Sequence, residues 1–136
     1  MNFIDTEKSH EIAATLIASI SLSEQKYGGS YNLDLEQPVT GYMVSLGGKK
    51  HTLEYETLSK VDVHAVAAWV KSHVDVLGTT YFGQPLYLGS WYDQSTGKVF
   101  FDLSVNESDK AHALSEAVIW KQLAIYDVEN KQIIRL

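Results

Sequence analysis

Leu86-Tyr87-Leu88-Gly89-Ser90-Trp91-Tyr92, then Asp93-Gln94-Ser95-Thr96-Gly97, then Lys98-Val99-Phe100-Phe101-Asp102-Leu103-Ser104-Val105: the reading of this stretch decides the fold. Both flanks are rich in aromatic and aliphatic residues that suit a pleated surface, and the middle holds the polar and glycine residues that favour turns. The pattern predicts a hairpin with a longer loop, in which Gly97 takes the left-handed position. Along the second strand, alternation sends Val99, Phe101 and Leu103 to one face and Phe100, Asp102 and Ser104 to the other.

Working outward, Asn106 is read as the cap of a helix running to about Trp120. Asp109 lies three residues on, and Ala111, Leu114, Ala117 and Val118 face inward. Residues 123–127 and 132–136 form two more strands joined at Glu129-Asn130-Lys131, which completes a C-terminal ββαββ unit. Upstream, Val63, Val66, Ala67, Val70, Val74 and Leu77 make one apolar stripe at helical spacing. Ser59 or Asp62 serves as its cap and Gly78 ends it. A loop at 78–85 leads into the hairpin. Before that helix, residues 39–46 and 52–55 read as a hairpin turning at Gly47-Gly48. Residues 24–37 read as a loop with a short extended piece at 31–35. Residues 6–21 read as an amphipathic helix capped by Asp5 or Thr6, with Ile12, Ala13, Leu16, Ile17 and Ile20 on its inner side.

The order is α-β-β-α-β-β-α-β-β. Short turns between consecutive strands require antiparallel pairing, so the expected fold is α+β: a mostly antiparallel sheet with three helices packed on one face. Residues 1–136 are expected to form a single domain, the usual size for one hydrophobic core.

Composition narrows the function classes. The chain has no cysteine, which removes disulfides, thiol nucleophiles and thiolate metal sites and fits a cytoplasmic location. Eleven Lys and Arg against 17 Asp and Glu give a net charge of −6, which argues against nucleic acid as a partner. No apolar run reaches membrane-span length, and residues 1–8 lack the pattern of a signal peptide, so no membrane association is expected.

Motifs for catalysis are missing. No Gly-x-Ser-x-Gly elbow, His-Glu-x-x-His spacing or phosphate-binding glycine loop occurs. The histidines, His10, His51, His64, His73 and His112, form no i,i+4 pair with one another, so neither a metal nor another cofactor is expected. His73 is read as a donor in the last turn of its helix. Gly47-Gly48-Lys49-Lys50 reads as a turn with a solvated basic tip.

The aromatic residues carry the positive signal. Eight Tyr and three Trp include Tyr81, Tyr87, Trp91, Tyr92, Trp120 and Tyr126, with Phe82 beside them. Tyr and Trp combine rigid area with a polar tip, as binding hot spots require. If Trp91, Phe100, Asp102 and Ser104 face away from the helices, they form with Tyr126 an aromatic and acidic binding surface. For any single aromatic residue, core filling is the competing reading, and for Asp102 it is solvation or turn anchoring.

The segments Thr40-Gly41-Tyr42-Met43-Val44, Tyr87-Leu88-Gly89-Ser90-Trp91-Tyr92-Asp93, Thr96-Gly97-Lys98-Val99-Phe100-Phe101-Asp102-Leu103-Ser104, Gln122-Leu123-Ala124-Ile125-Tyr126-Asp127 and Ile133-Ile134-Arg135 together resemble small uncharacterised proteins encoded by bacteriophages and mobile elements. The resemblance covers roughly residues 38–136. It implies a phage origin and no mechanism; together with the aromatic residues and the missing catalytic motifs it leads to the expectation of a non-catalytic protein that binds a host protein, such as a defence protein, or self-associates through the aromatic sheet face. The rival expectation is a small-molecule or nucleotide-type ligand binder, or a small enzyme, with a pocket lined by Trp, Tyr and Asp.

Overall fold

Three aspartates start the three helices. Asp5, Asp62 and Asp109 each accept a hydrogen bond from a backbone N–H of the first turn, at Lys8 (2.7 Å), His64 (3.0 Å) and His112 (3.2 Å). The computed structural model describes residues 4–78, 80, 81 and 83–136; Phe82 lies outside them. In chain order the elements are α1 (Thr6–Ala18), β1 (Ile20–Ser21), β2 (Lys26–Tyr31), β3 (Tyr42–Ser45), β4 (Thr52–Tyr55), α2 (Val63–Leu77), β5 (Thr80–Tyr81), β6 (Gln84–Tyr92), β7 (Val99–Glu107), α3 (Lys110–Ile119), β8 (Ala124–Asp127) and β9 (Gln132–Arg135).

The fold is α+β, with three helices on one face of a curled antiparallel sheet. The strands run β1-β2-β6-β7-β3-β8-β9, with β4 also paired to β7 and β5 to β6. The β6–β7 hairpin forms as expected, Trp91 opposite Phe100 and Leu88 opposite Leu103. Gly97 takes φ +78° in its turn, and the Asp93 carboxylate accepts from the backbone and hydroxyl of Ser95 and the hydroxyl of Thr96.

Four expectations change. The strands at 42–45 and 52–55 do not pair with each other. They lie end to end along one edge of β7, β4 opposite Val99 to Asp102 and β3 opposite Ser104 to Glu107. Gly47 and Gly48 both have positive φ and lead into a 3-10 turn, so the chain moves along β7 instead of folding back. The segment read as a loop at 24–37 contains β2, which reaches β6 earlier than the extended piece predicted at 31–35. Its first glycine, Gly28, has φ +139°, and a Cβ there would run into the carbonyl of Ser90. Asn106 is not a cap: it pairs with Met43 in the sheet and donates to the carbonyl of Thr40. Helix α3 therefore starts later and turns Ala113, Glu116 and Ala117 inward, leaving Ala111 and Val118 exposed. Finally, α1 stops at Ala18, and Ile20 enters the short strand β1.

The core lies between helices and sheet. Val99, Phe101, Leu103 and Val105 are fully buried, as are Ile12 and Leu16 of α1, Val66, Val70 and Val74 of α2, and Ala113 and Ala117 of α3. Phe101 is the largest of these side chains, with Tyr55 edge-on at 6.1 Å and Trp69 tilted at 6.5 Å. Helix α1 is tied to the sheet by Ser90, whose hydroxyl donates to the carbonyl of Leu16 at 2.8 Å and meets Ser19 at 2.7 Å. Among the described residues, no helix is long and apolar enough to cross a membrane.

Truncating Phe101 to Ala should cost about 3–5 kcal/mol, because the hole sits where three elements converge. A urea titration of the F101A variant measures this as a lower midpoint at unchanged slope.

Candidate functional site

The pleat that buries one side of β7 exposes the other, and register fixes its neighbours. Across the uncovered face, Gly28, Trp91, Phe100 and Glu54 lie in one row; Ser30, Gly89, Asp102 and Thr52 form the next; Tyr87, Ser104 and Ser45 the third. A fourth row holds Asn106, Met43, Tyr126 and Ile133. Large side chains thus border two rows made mostly of small polar ones.

All five residues singled out from the sequence lie on this face, spread over its four rows. Trp91 is 50% exposed beside a glycine that offers no covering side chain, and Phe100 is its partly buried cross-strand partner. Asp102 and Ser104 follow along β7, Ser104 almost covered between Tyr87 and Ser45. Tyr126, exposed in the fourth row, lies three rows from Trp91 and Phe100, roughly 20 Å along the strand direction, but only one row beyond Ser104.

Asp102 occupies a place left by Gly89. A Cβ on Gly89 would stand 2.8 Å from the Asp102 Oδ1, so the missing side chain makes room for the carboxylate. The hydroxyl of Ser45 donates to Oδ2 at 3.3 Å. Although part of the residue reaches solvent, protein atoms crowd the carboxylate. Their desolvation pushes its pKa up to about 6, against the opposing effect of the Ser45 hydrogen bond.

A second polar cluster stands on the helix side of the sheet. Glu107, the last residue of β7, is 3% exposed, and α3 brings His112 and Glu116 against it from successive turns. The Nδ1 of His112 is 3.6 Å from Glu107 Oε2, and one ligand atom from each of the three residues lies within 4.8 Å of the others. The spacing His112-x-x-x-Glu116 is the signal in the sequence; a search confined to histidine pairs passes over it.

The remaining histidines have local roles. His10 and His64 meet between α1 and α2, with ring nitrogens 3.1 Å apart. His73 lies against the carbonyls of Trp69 and Lys50, the donor position expected at the helix end. An open hollow of about 720 Å³ lies elsewhere, beside the start of α1, lined by Asp5, Lys8, Asn32, Asp34, Pro85 and Leu86 among others.

Comparison with protein-family models, curated proteins and solved structures gives no match.

The raised pKa of Asp102 makes a signed prediction. Its folded value lies above its unfolded one, so the native state holds the proton more tightly. Stability from this group is present at low pH and is lost as pH rises from about 4 to about 6. Asp102→Asn should therefore stabilise the fold by roughly 1–3 kcal/mol at about pH 8 and hardly at all at about pH 3.5. Parallel urea titrations at the two pH values measure the difference.

Proposed function

We propose that this protein is phage-encoded and acts without catalysis, capturing a host protein on its uncovered sheet face and so blocking it. The single observation that carries the reading is the contiguous group formed by exposed Trp91, its neighbour Phe100 and the desolvated carboxylate of Asp102 on a face no helix covers. Tryptophan is among the residue types enriched in binding hot spots. The resemblance to phage and mobile-element proteins favours a host component as the target. A sheet face presents area, not enclosure, which suits a protein partner.

A second reading rests on the small residues around Asp102. Gly28 leaves one side of the Trp91 ring open, and Ser30, Gly89 and Ser45 surround the acid. A planar ligand of nucleotide type could stack on the indole while its polar edge bonds to the carboxylate.

The test is capture of host proteins from lysate by wild type and by the Trp91→Ala, Phe100→Ala and Tyr126→Ala variants. Trp91→Ala and Phe100→Ala should each weaken capture of a shared target by about 30-fold or more, the loss of a hot spot of about 2 kcal/mol. Tyr126→Ala, three rows away, should leave capture nearly intact. Equal capture by all four proteins overturns the assignment. A thermal shift with nucleotides that disappears in Trp91→Ala selects the second reading.

A further inference from the structure

The junction of β7 and α3 holds an arrangement that the sheet face does not use. Glu107 faces the helix side because it keeps the alternation of Leu103 and Val105, and it is as buried as they are. Helix α3 places His112 and Glu116 four residues apart on the side turned toward it. Glu107 Oε2 and Glu116 Oε1 are both buried, and no other residue donates a hydrogen bond to either.

Two buried carboxyl groups brought together with no donor from another residue on these oxygens need a proton or a cation between them. Among the described residues no lysine or arginine comes within ion-pair distance of either, and the one basic side chain beside Glu107 is His112. A proton can fill the gap: burial first, then a hydrogen bond with Glu107 and the charge of that neighbour, raise the Glu116 pKa to about 7. A proton leaves the imidazole unused, however, whereas a metal ion satisfies all three groups.

The donor set identifies the class of ion. One imidazole nitrogen and two carboxylates suit a borderline first-row divalent ion, while magnesium and calcium prefer oxygen alone. Ligand atoms on such an ion sit about 3–3.5 Å apart, given bonds of about 2.0–2.2 Å. The present maximum of 4.8 Å closes by small side-chain rotations. Three protein ligands leave at least one coordination position open. Because His112 is largely exposed, that position is within reach of solvent.

We propose that Glu107, His112 and Glu116 bind one divalent transition-metal ion, of the zinc or manganese type, between the end of β7 and the first turns of α3.

The experiment takes the full chain, stripped with chelator, and titrates ZnCl₂, MnCl₂, MgCl₂ and CaCl₂ separately by calorimetry, with melting temperature followed in parallel. Wild type should bind one equivalent of Zn²⁺ or Mn²⁺ and melt higher with it, whereas Mg²⁺ and Ca²⁺ should bind at least tenfold more weakly. His112→Ala, a change at an exposed side chain that the fold should tolerate, should lower the affinity at least tenfold. Glu116→Gln should do the same while raising the melting temperature of the metal-free protein, since it removes the carboxylate repulsion. That opposite pair of effects separates a ligand from a residue that merely supports the fold. His10→Ala should bind as wild type does, which distinguishes the cluster from the exposed His10–His64 pair.

The proposal fails if no ion binds at millimolar concentration, or if His112→Ala and Glu116→Gln bind like wild type. A melting temperature that responds to pH and to Glu116→Gln but to no ion would leave a shared proton in place of the metal.

Discussion

Pairing on both edges of β7 is the constraint on which the structure depends. This nine-residue strand has β6 on one side and β3 with β4 on the other, so nearly all its backbone polar groups are satisfied within the sheet. Once those edges are filled, its register cannot slip by one residue without exchanging Phe101 for Phe100 in the core. That exchange would put the carboxylate of Asp102 under the helices and leave Val99, Leu103 and Val105 in water. The burial of those four apolar side chains therefore holds the outward residues in place as firmly as the inward ones.

The same strand connects the two polar regions while keeping them apart. Asp102 and Glu107 are five residues apart on β7, an odd number, so they emerge on opposite sides of the sheet. One meets small side chains and solvent at the margins of an aromatic patch. The other meets the inner side of α3, where Ala113 and Ala117 let the helix come close enough to bring Glu116 against Glu107. Asp102 and Glu116 are pushed toward the protonated form by desolvation, and Glu116 also by its hydrogen bond with Glu107 and the charge of that neighbour. The chain thus keeps ionisable side chains at two places where an apolar or amide side chain would be easier to bury.

The strands and helices with strong periodicity were legible from residue order. The stripe from Val63 to Leu77, the alternation from Val99 to Val105 and the turn at Gly97 express local preferences that tertiary contacts reinforce. Less legible were β2 and the pairing of β3 with β4, for different physical reasons. The sequence Lys26-Tyr27-Gly28-Gly29-Ser30-Tyr31 has glycines where a strand usually has bulk, and it is held extended by β6 instead of by its own propensity. For β3 and β4 the glycine pair between them suggested a reversal, but its conformation carries the chain onward to a second stretch of the same neighbour. At Asn106 a cap was expected because the residue type allows one; the open ladder edge at Met43 and the carbonyl of Thr40 compete for it and win.

Residue order by itself determined the α+β class, the side of β7 on which each residue lies, and the absence of thiol chemistry. These follow from period-two alternation, helical spacing and composition, all of which are local. Only the tertiary structure decided that Tyr126 stands three rows from Trp91 and Phe100, that Gly89 makes the space for the Asp102 carboxylate, and that Glu107 meets His112 and Glu116. Those facts depend on which strands become neighbours and how closely a helix approaches the sheet. Long-range burial sets both, and no short stretch of sequence encodes it.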